Sequence, residues 1–575
     1  MSSSTAPSSP VSHQSSGSSD DEKSNAAYRD ASDPAKQAAR AAPYTANVPF
    51  MYNTITESSG AGGGGGPVEK VPITYGGDND LQRHARQSDA LQGSPYFQSA
   101  PSREEVRKAA TGSRGTVDFG APAPTPVNTP QFDDGNVRIQ YDSKGSPGSG
   151  SAKETLRITT GPGDDNVNIE RGQDGGLLAH VNGRSYAIPF REDPRNQQRV
   201  LIDTGNGNDG VRIDYGGHQE TIINAGAGDD TVYAGAGRTS VYGGDGSDVI
   251  NLGSGSSYAE GNDGNDFITG GSGNAVIYGG RGSDELRAGG GSTSKVNYLD
   301  GGEGNDYISG GRGHNILHGG PGDDYIFGGD SSVIYTGRGS DTVQTYNSED
   351  TVYGQRDFDD LSQLRSLKGF NDVAPLNVGR TGIRVSGSER FMQRVNDDLE
   401  SMRSSPVGQG VLAKIDSLDA PVTIREGFDG SFYHYTDPGR ANARDDDIRR
   451  LGLANGYIIN GTPGVPAKTP VVTYQPNFIT GSQRPPIVVL QHELAHAING
   501  GEGTFLSGST FTHYQGYTPV YESNHERQAV GLPTNHRPYH FNGPYARATS
   551  YNPWPFNENA LLAEYRLSLR QRYLE

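Results

Sequence analysis

A chain of 575 residues with 83 glycines and no cysteine is long enough for two or three domains and must hold a segment that is Gly-rich by design. The missing cysteine excludes a disulfide framework, a thiolate-ligated metal and a cysteine nucleophile. The formal charge is −19, and from Gly226 to Val343 sixteen acidic residues stand against six basic ones, which argues against nucleic acid and for cations as partners.

Residues 1–130 are rich in Ser, Pro, Gly, Ala and Gln and include the glycine run Gly62 to Gly66. Such a stretch buries too little apolar surface to offset its ordering entropy, so it reads as a disordered region. Its start, MSSSTAPSSPVSHQSSGSSDDEKS, has no apolar core and does not read as a Sec signal peptide. A Ser-rich start is a compositional candidate for a translocation signal, read by a secretion machine and escorted by a secretion chaperone. No apolar run of about 18 residues occurs, so no transmembrane segment is expected.

Residues 131–347 repeat a Gly-x-Gly-x-Asp-x-apolar unit. It begins at Gly161-Pro-Gly-Asp-Asp165-Asn-Val167, returns at Asp209 and Asp230, and continues through Asp248, Asp266, Asp284, Asp306, Asp324 and Asp341. The spacing is 18 residues at each step from Asp230 to Asp284, then 22, 18 and 17. Eighteen is two nine-residue half-turns, and the repeat resembles the RTX (repeats-in-toxin) family. The resemblance implies a parallel β-roll with calcium in its turns. The residues fit it: glycines permit turns at positive φ, the apolar residue after each Asp fills a core, and carboxylate and carbonyl oxygens suit Ca²⁺. The intervening half-turns, such as Gly235-Ala-Gly-Arg-Thr-Ser240 and Gly271-Ser-Gly-Asn-Ala-Val276, lack the Asp. One row of calcium sites along one edge of the roll is therefore expected. The segment from Gln131 to Arg199 carries one clean repeat and reads as a short β cap.

Residues 348–375 are polar and mixed and read as a linker. In residues 376–575, Ser388 to Met402 has the period of an amphipathic helix, with Phe391, Val395, Leu399 and Met402 on one face. Val422 to Arg425 and Val471 to Tyr474 read as strands, the second as an edge that could pair with an extended peptide. Pro485-Pro486 opens a helix that Gly500-Gly501 should stop. Asn524 and Asn557 read as caps, the first of a short helix ending at Gly531, the second of a last helix running toward Tyr573.

His492 and His496, four apart on a helix, project from one face and can ligate one ion. Glu493 between them suits a general base, and Zn²⁺ is the cofactor of such a motif. A third ligand is needed. Position 502, where an extended motif would place a third His, is Glu502. The better candidate is Glu526 in Asn524-His-Glu-Arg-Gln-Ala-Val-Gly-Leu-Pro533, with His525, His513, Glu522 and Glu502 as rivals. Peptide hydrolysis also needs a group to stabilise the oxyanion. Arg570 and Tyr573, three apart on the expected last helix, resemble the Arg-x-x-Tyr pair of the clostridial neurotoxin light chains. Tyr514, Tyr517 and Tyr521 are rival donors.

HELAHA (492–497), NHERQAVGLP (524–533) and NENALLAEYRLSLRQRYL (557–574) in this order resemble the NleD-like effector zinc metallopeptidases. The resemblance implies His492, His496 and Glu526 as zinc ligands and Glu493 as catalyst. It further implies type III delivery into a host cell and a host protein as intracellular substrate. The upstream repeats depart from this pattern, because RTX repeats usually travel by a type I route.

The chain is thus read as multidomain: a disordered region, an RTX-like β-roll or β-solenoid, and an α+β zincin-type metallopeptidase. The expected function is that of a secreted or injected zinc endopeptidase, a virulence effector. The alternative is a calcium-dependent adhesin whose last domain is degenerate.

Overall fold

The computed structural model describes residues 125–126, 131–142, 155–173, 175–190, 199–216, 220–427, 431–435, 456–476 and 484–573. Apart from the strand Thr125–Pro126, the region read as disordered, with its candidate signal, lies outside these residues.

The repeats wind into a β-solenoid whose two faces are sheets of thirteen strands each among the described residues. One face is built of three-residue strands such as Thr231–Tyr233, the other of strands up to eight residues such as Arg238–Asp245. Successive turns pair in parallel register, so identical repeat positions stack. On the short-strand face Val211, Val232, Ile250, Ile268, Leu286, Ile308, Ile326 and Val343 form one column. On the other face Ile202, Ile223, Val241, Ala259, Ile277, Leu299, Leu317 and Ile334 form the second. Both columns are buried and together fill the roll. Antiparallel strands over 131–188 close the first end, as the reading of a β cap expects.

The segment read as a linker is a correction. Thr351–Gly354, Asp360–Gln363 and Phe370–Asp372 pair in parallel with preceding turns and extend the roll to Asp372. These turns lack the Gly-x-Gly-x-Asp signature, so only their pairing reveals them.

The last domain is α+β. A four-stranded sheet runs in the order Ile383–Ser386, Val422–Glu426, Pro470–Tyr474, Phe432–Tyr435. The first three are parallel and the last is antiparallel. Among the described residues Pro470–Tyr474 is therefore interior, and the outer strands are Ile383–Ser386 and Phe432–Tyr435, which corrects the expected edge. Among the described residues this domain has five helices: α1 (Glu389–Ser404), α2 (Pro406–Asp416), α3 (Pro486–Glu502), α4 (Asn524–Val530) and α5 (Glu558–Glu564). The Ser388 hydroxyl caps α1 by accepting from Phe391 N, and Phe391, Val395, Leu399 and Met402 are buried as their period demands.

Three boundaries differ from expectation, each for a local reason. Helix α3 passes through Gly500 and Gly501 and ends at Gly503, whose φ of +70° supplies the left-handed cap. A Cβ on Gly500 would meet the Tyr433 ring and one on Gly501 the Leu418 side chain at 2.8 Å, so these glycines serve close packing. Asn524 is the first residue of α4 and not its cap; its amide donates to Ser507 O and Asn535 Oδ1. Asn557 does cap α5, accepting from Ala560 N at 2.9 Å. That helix stops at Glu564 because Arg566 takes φ +55° and the Leu567 N–H bonds Leu562 O, a Schellman closure made without glycine.

The outer face of the long strands is dry. In a roll, alternate side chains point outward and ordinarily meet water. Here Tyr242, Glu260, Tyr278, Asp300, His318 and Tyr335 stack in one outward column, with Tyr258 and Tyr298 beside it, and all are buried. Helix α1 covers them: the Arg390 and Arg394 guanidiniums lie 3.8 and 3.2 Å from the Tyr242 and Tyr278 ring centres. From α5, Glu564 accepts from Tyr335 Oη at 2.8 Å, and Tyr565 packs on Tyr298 and Tyr335. The roll is thereby the platform on which α1 and the end of α5 are seated.

Candidate functional site

Helix α3 is apolar over Ile487 to Leu490, all buried but half-buried Val489, and this run carries the next turn into the interior. His492 and His496 leave that turn on one face. Helix α4, held by the Asn524 latch and the Gln528 side chain on Leu506 N and Thr504 O, presents Glu526 to them. His492 Nε2, His496 Nε2 and Glu526 Oε2 stand 3.1 Å from one another in all three pairs. Among the described residues, this is the group of three ligating side chains that could hold a metal ion.

The triangle can be tested against zinc. Ligand atoms at about 2.0–2.1 Å from a tetrahedral ion stand about 3.3 Å apart. Two imidazole nitrogens and a carboxylate oxygen at 3.1 Å fit one face of that tetrahedron. The two imidazole nitrogens face each other, an arrangement that a cation between them satisfies.

Glu493 is 6 % exposed and lies within electrostatic reach of His492, Glu526 and Glu558. Burial pushes its carboxyl up to about 7, in the range suited to a group that takes and returns a proton near neutrality. A main-chain hydrogen bond from Tyr433 holds it, which brings the strand Phe432–Tyr435 to the site.

The rivals for the third position are engaged elsewhere. Glu502 pairs with Lys414, Glu522 with Arg527 Nη1 at 2.6 Å, and His513 contacts Thr512. His525 Nε2 lies 3.3 Å from Glu526 Oε1 and so orients the other oxygen of that carboxylate.

Arg570 and Tyr573 reach the site by a route other than the expected one. Both lie beyond α5, on a segment that folds back and is pinned by Asn559, whose side chain bonds Arg570 N and O. The Tyr573 ring stacks on His492 with centres 6.0 Å apart, and its hydroxyl hydrogen-bonds Glu526. Burial, with Glu526 and Glu493 nearby, raises its pKa, so the phenol keeps its proton. Arg570 Nη1 contacts Glu558 Oε2 at 2.8 Å. Tyr514, Tyr517 and Tyr521 are exposed on the hairpin of Ser509–Gln515 and Thr518–Ser523.

Glu558 escaped the sequence reading. It is buried at the start of α5 and accepts from His492 Nδ1 at 3.0 Å through Oε2, with Arg570 on the same oxygen and Arg484 on Oε1. Such a carboxylate fixes the tautomer that leaves Nε2 free to ligate. The available signal was its place directly after the Asn557 cap. Glu558→Gln is expected to weaken metal retention about 10–100-fold while the fold persists, as measured by competition with a zinc chelator.

The roll carries the second set of oxygens. Asp165, Asp209, Asp230, Asp248, Asp266, Asp284, Asp306, Asp324 and Asp341 lie on one edge. Each from Asp209 onward accepts, through Oδ1, the main-chain N–H of the Asp one turn earlier, at 2.7–2.9 Å. In all nine, Oδ2 is buried without a hydrogen-bond partner. The Asp266, Asp284 and Asp306 Oδ2 atoms converge with the carbonyls of Gly279, Gly301 and Gly319 over a backbone where no Cβ fits. An orphaned carboxylate oxygen beside carbonyl oxygens is what a calcium ligand set requires. On the opposite edge the equivalent column is Thr239, Ser257, Ala275, Asn297, Asn315 and Ser332, with Asp350 at its end. Lys295, within the four-residue insertion of the 22-residue turn, sets its ammonium on the carbonyls of Gly271, Ala288 and Gly290 there.

Among the described residues no helix is long and apolar enough to cross a membrane. Residues 380–573 match the model of peptidase family M91, described as effector protein. Four copies of the RTX calcium-binding nonapeptide repeat match residues 224–259, 260–293, 300–332 and 330–361. No curated protein and no solved structure matches the chain. The two families together point to a secreted effector with peptidase character and calcium-binding repeats. The chain carries a peptidase family M91 effector domain at 380–573, preceded by RTX calcium-binding nonapeptide repeats.

Proposed function

We propose that the C-terminal domain is a zinc endopeptidase that cuts a host protein after delivery into the host cell. The observation that carries this reading is the 3.1 Å triangle of His492, His496 and Glu526 with Glu493 on the same helix. Zinc held by such a set acidifies a water and polarises a peptide carbonyl. Glu493 takes the proton of the attacking water and passes it to the leaving amine. The Tyr573 hydroxyl, beside Glu526 and His492, donates to the oxygen of the scissile carbonyl as negative charge builds there. Glu558 and Arg570 act through His492 and are positioning residues.

Nothing in the triad is degenerate, which speaks against the adhesin reading. Metal analysis tests the site: one zinc per chain is expected in the wild type and none in Glu526→Gln, and a wild-type chain that takes up no zinc contradicts the proposal. Tyr573→Phe is expected to lower kcat by about 10²–10³-fold with KM little changed, measured on a cleavable protein substrate.

The Asp row is proposed to hold calcium. In a low-calcium bacterial cytosol an unfilled roll would be only loosely folded, which would suit passage through a narrow channel before calcium outside orders it. Circular dichroism with and without Ca²⁺ tests this, and an unchanged spectrum contradicts it.

A further inference from the structure

Helix α5 is short and tied at both ends. Its seven residues, at about 1.5 Å each, put those ends about 10 Å apart. At the start, Glu558 Oε2 accepts from His492 Nδ1 at 3.0 Å. At the end, three consecutive residues are bonded to the roll. Glu564 Oε1 accepts from Tyr335 Oη at 2.8 Å, the Tyr565 carbonyl accepts from His314 Nε2 at 2.6 Å, and the Arg566 guanidinium donates to Glu349 O. The two roll side chains are themselves fixed. His314 Nδ1 faces Ser331 Oγ at 3.3 Å, and the Tyr335 ring stacks on His318 and Tyr353 with centres 5.4 and 4.8 Å away.

The chain turns back at Arg566, and its returning leg is clamped to the helix by Asn559, which bonds Arg570 N at 2.8 Å and Arg570 O at 3.1 Å. This leg brings Arg570 Nη1 within 2.8 Å of the Glu558 oxygen that holds His492, and lays the Tyr573 ring on His492 with centres 6.0 Å apart. The bend therefore sits on the roll, and both legs end on one ligand of the triangle. Close-packed interiors transmit a displacement instead of absorbing it, so a shift of the bend moves Glu558 and Tyr573 together. Misplacement by about 1 Å at a reacting centre can cost about 10²-fold in rate.

We propose that His314 and Tyr335 of the roll are positioning residues for the zinc site, acting through the 564–566 bend on Glu558 and Tyr573. The roll is then part of the scaffold of the peptidase site. The inference rests on reading that site as a zinc peptidase. Both residues can be changed without touching the ligand triangle, Glu493 or the Asp row. Glu564 keeps Ser405 Oγ and Val407 N as partners when the Tyr335 hydroxyl is removed, so Tyr335→Phe leaves no unpaired buried carboxylate.

The test compares the full chain with the double variant His314→Leu/Tyr335→Phe in calcium, by zinc release to a chelator, by the visible absorption of the Co²⁺-substituted site and by the rate of fragment formation in host-cell lysate. Zinc release should quicken about tenfold, the low end for losing a group bonded to a ligand. The Co²⁺ bands should shift, and fragments should form about tenfold more slowly. His314→Gln, which keeps an N–H donor, should restore most of both rates when paired with Tyr335. The control is Tyr325→Phe, which removes a roll hydrogen bond to Gln344 on the other sheet and should behave as wild type. Should the double variant not fold, Tyr335→Phe alone is read on the same measures. Wild-type zinc release and Co²⁺ bands in the variant overturn the proposal, as does an equal loss in Tyr325→Phe. A wild type that holds zinc but cuts nothing ends the peptidase reading and leaves zinc release to decide this one; a wild type that takes up no zinc ends both.

Discussion

Glu493→Gln is expected to reduce hydrolysis by about 10²–10⁴-fold while one zinc per chain stays bound. The substitution keeps the shape of the side chain and removes its capacity to accept a proton. Glu493 is buried, but it is not a member of the ligand triangle, so the metal set is untouched. Its carboxyl sits at about 7 through burial, opposed by His492, so proton uptake and return are closely matched at neutral pH. Loss of zinc along with activity would instead make Glu493 a structural part of the site. Retained activity would remove it from the chemistry. Zinc content and turnover measured on the same preparation separate these outcomes.

The second large effect is removal of calcium from the roll. Burial, the largest cause, raises the carboxyls of Asp230, Asp266 and Asp306 to about 7, of Asp248 and Asp341 to about 8, and of Asp284 and Asp324 to about 9. Without a cation these groups hold protons that the unfolded chain releases above its ordinary carboxyl pKa of about 4. The folded state then binds more protons than the unfolded state, so stability falls as pH rises from about 4 to about 9. The metal-free roll should melt at a lower temperature at pH 8 than at pH 5. Calcium replaces those protons, so it should bind more tightly at pH 8 and flatten the pH dependence. One site at a hundred times its Kd contributes about 2.7 kcal/mol. About 1 kcal/mol moves Tm by roughly 2–4 °C in a domain of this size, so even a single filled site should raise it by roughly 5–10 °C. Melts followed by circular dichroism at the two pH values, with and without calcium, give the answer. A metal-free roll more stable at pH 8 would contradict the assignment of these carboxyls.

Much of the roll was legible because its rule is local and repeated: a Gly-x-Gly-x-Asp turn followed by one apolar residue predicts both the stack and its acidic edge. The roll's last turns were not legible, since Thr351–Gly354 and Phe370–Asp372 follow the register without the turn signature. The α3 helix was legible through its apolar run and the spacing of its histidines. The end of α5 was not, because Arg566 takes the left-handed position that glycine usually marks. That hidden stop is why Arg570 and Tyr573 reach the site from a returning segment. Helix α2 escaped because Gly408 and Gly410 interrupt its pattern. Glu558 and the buried outward tyrosines Tyr258, Tyr278 and Tyr298 depend on partners more than sixty residues away in sequence, which no local pattern encodes.

The most direct test of the central claim is N-terminal sequencing of fragments from a host-cell lysate treated with the zinc- and calcium-loaded chain or with its Glu493→Gln variant. New N-termini at defined positions in one or a few proteins, present with the wild type and absent with the variant, are the expected result. The same fragments from both proteins, or no fragments from a wild-type chain shown to hold zinc, would contradict the assignment of the His492–His496–Glu526 site to peptide hydrolysis.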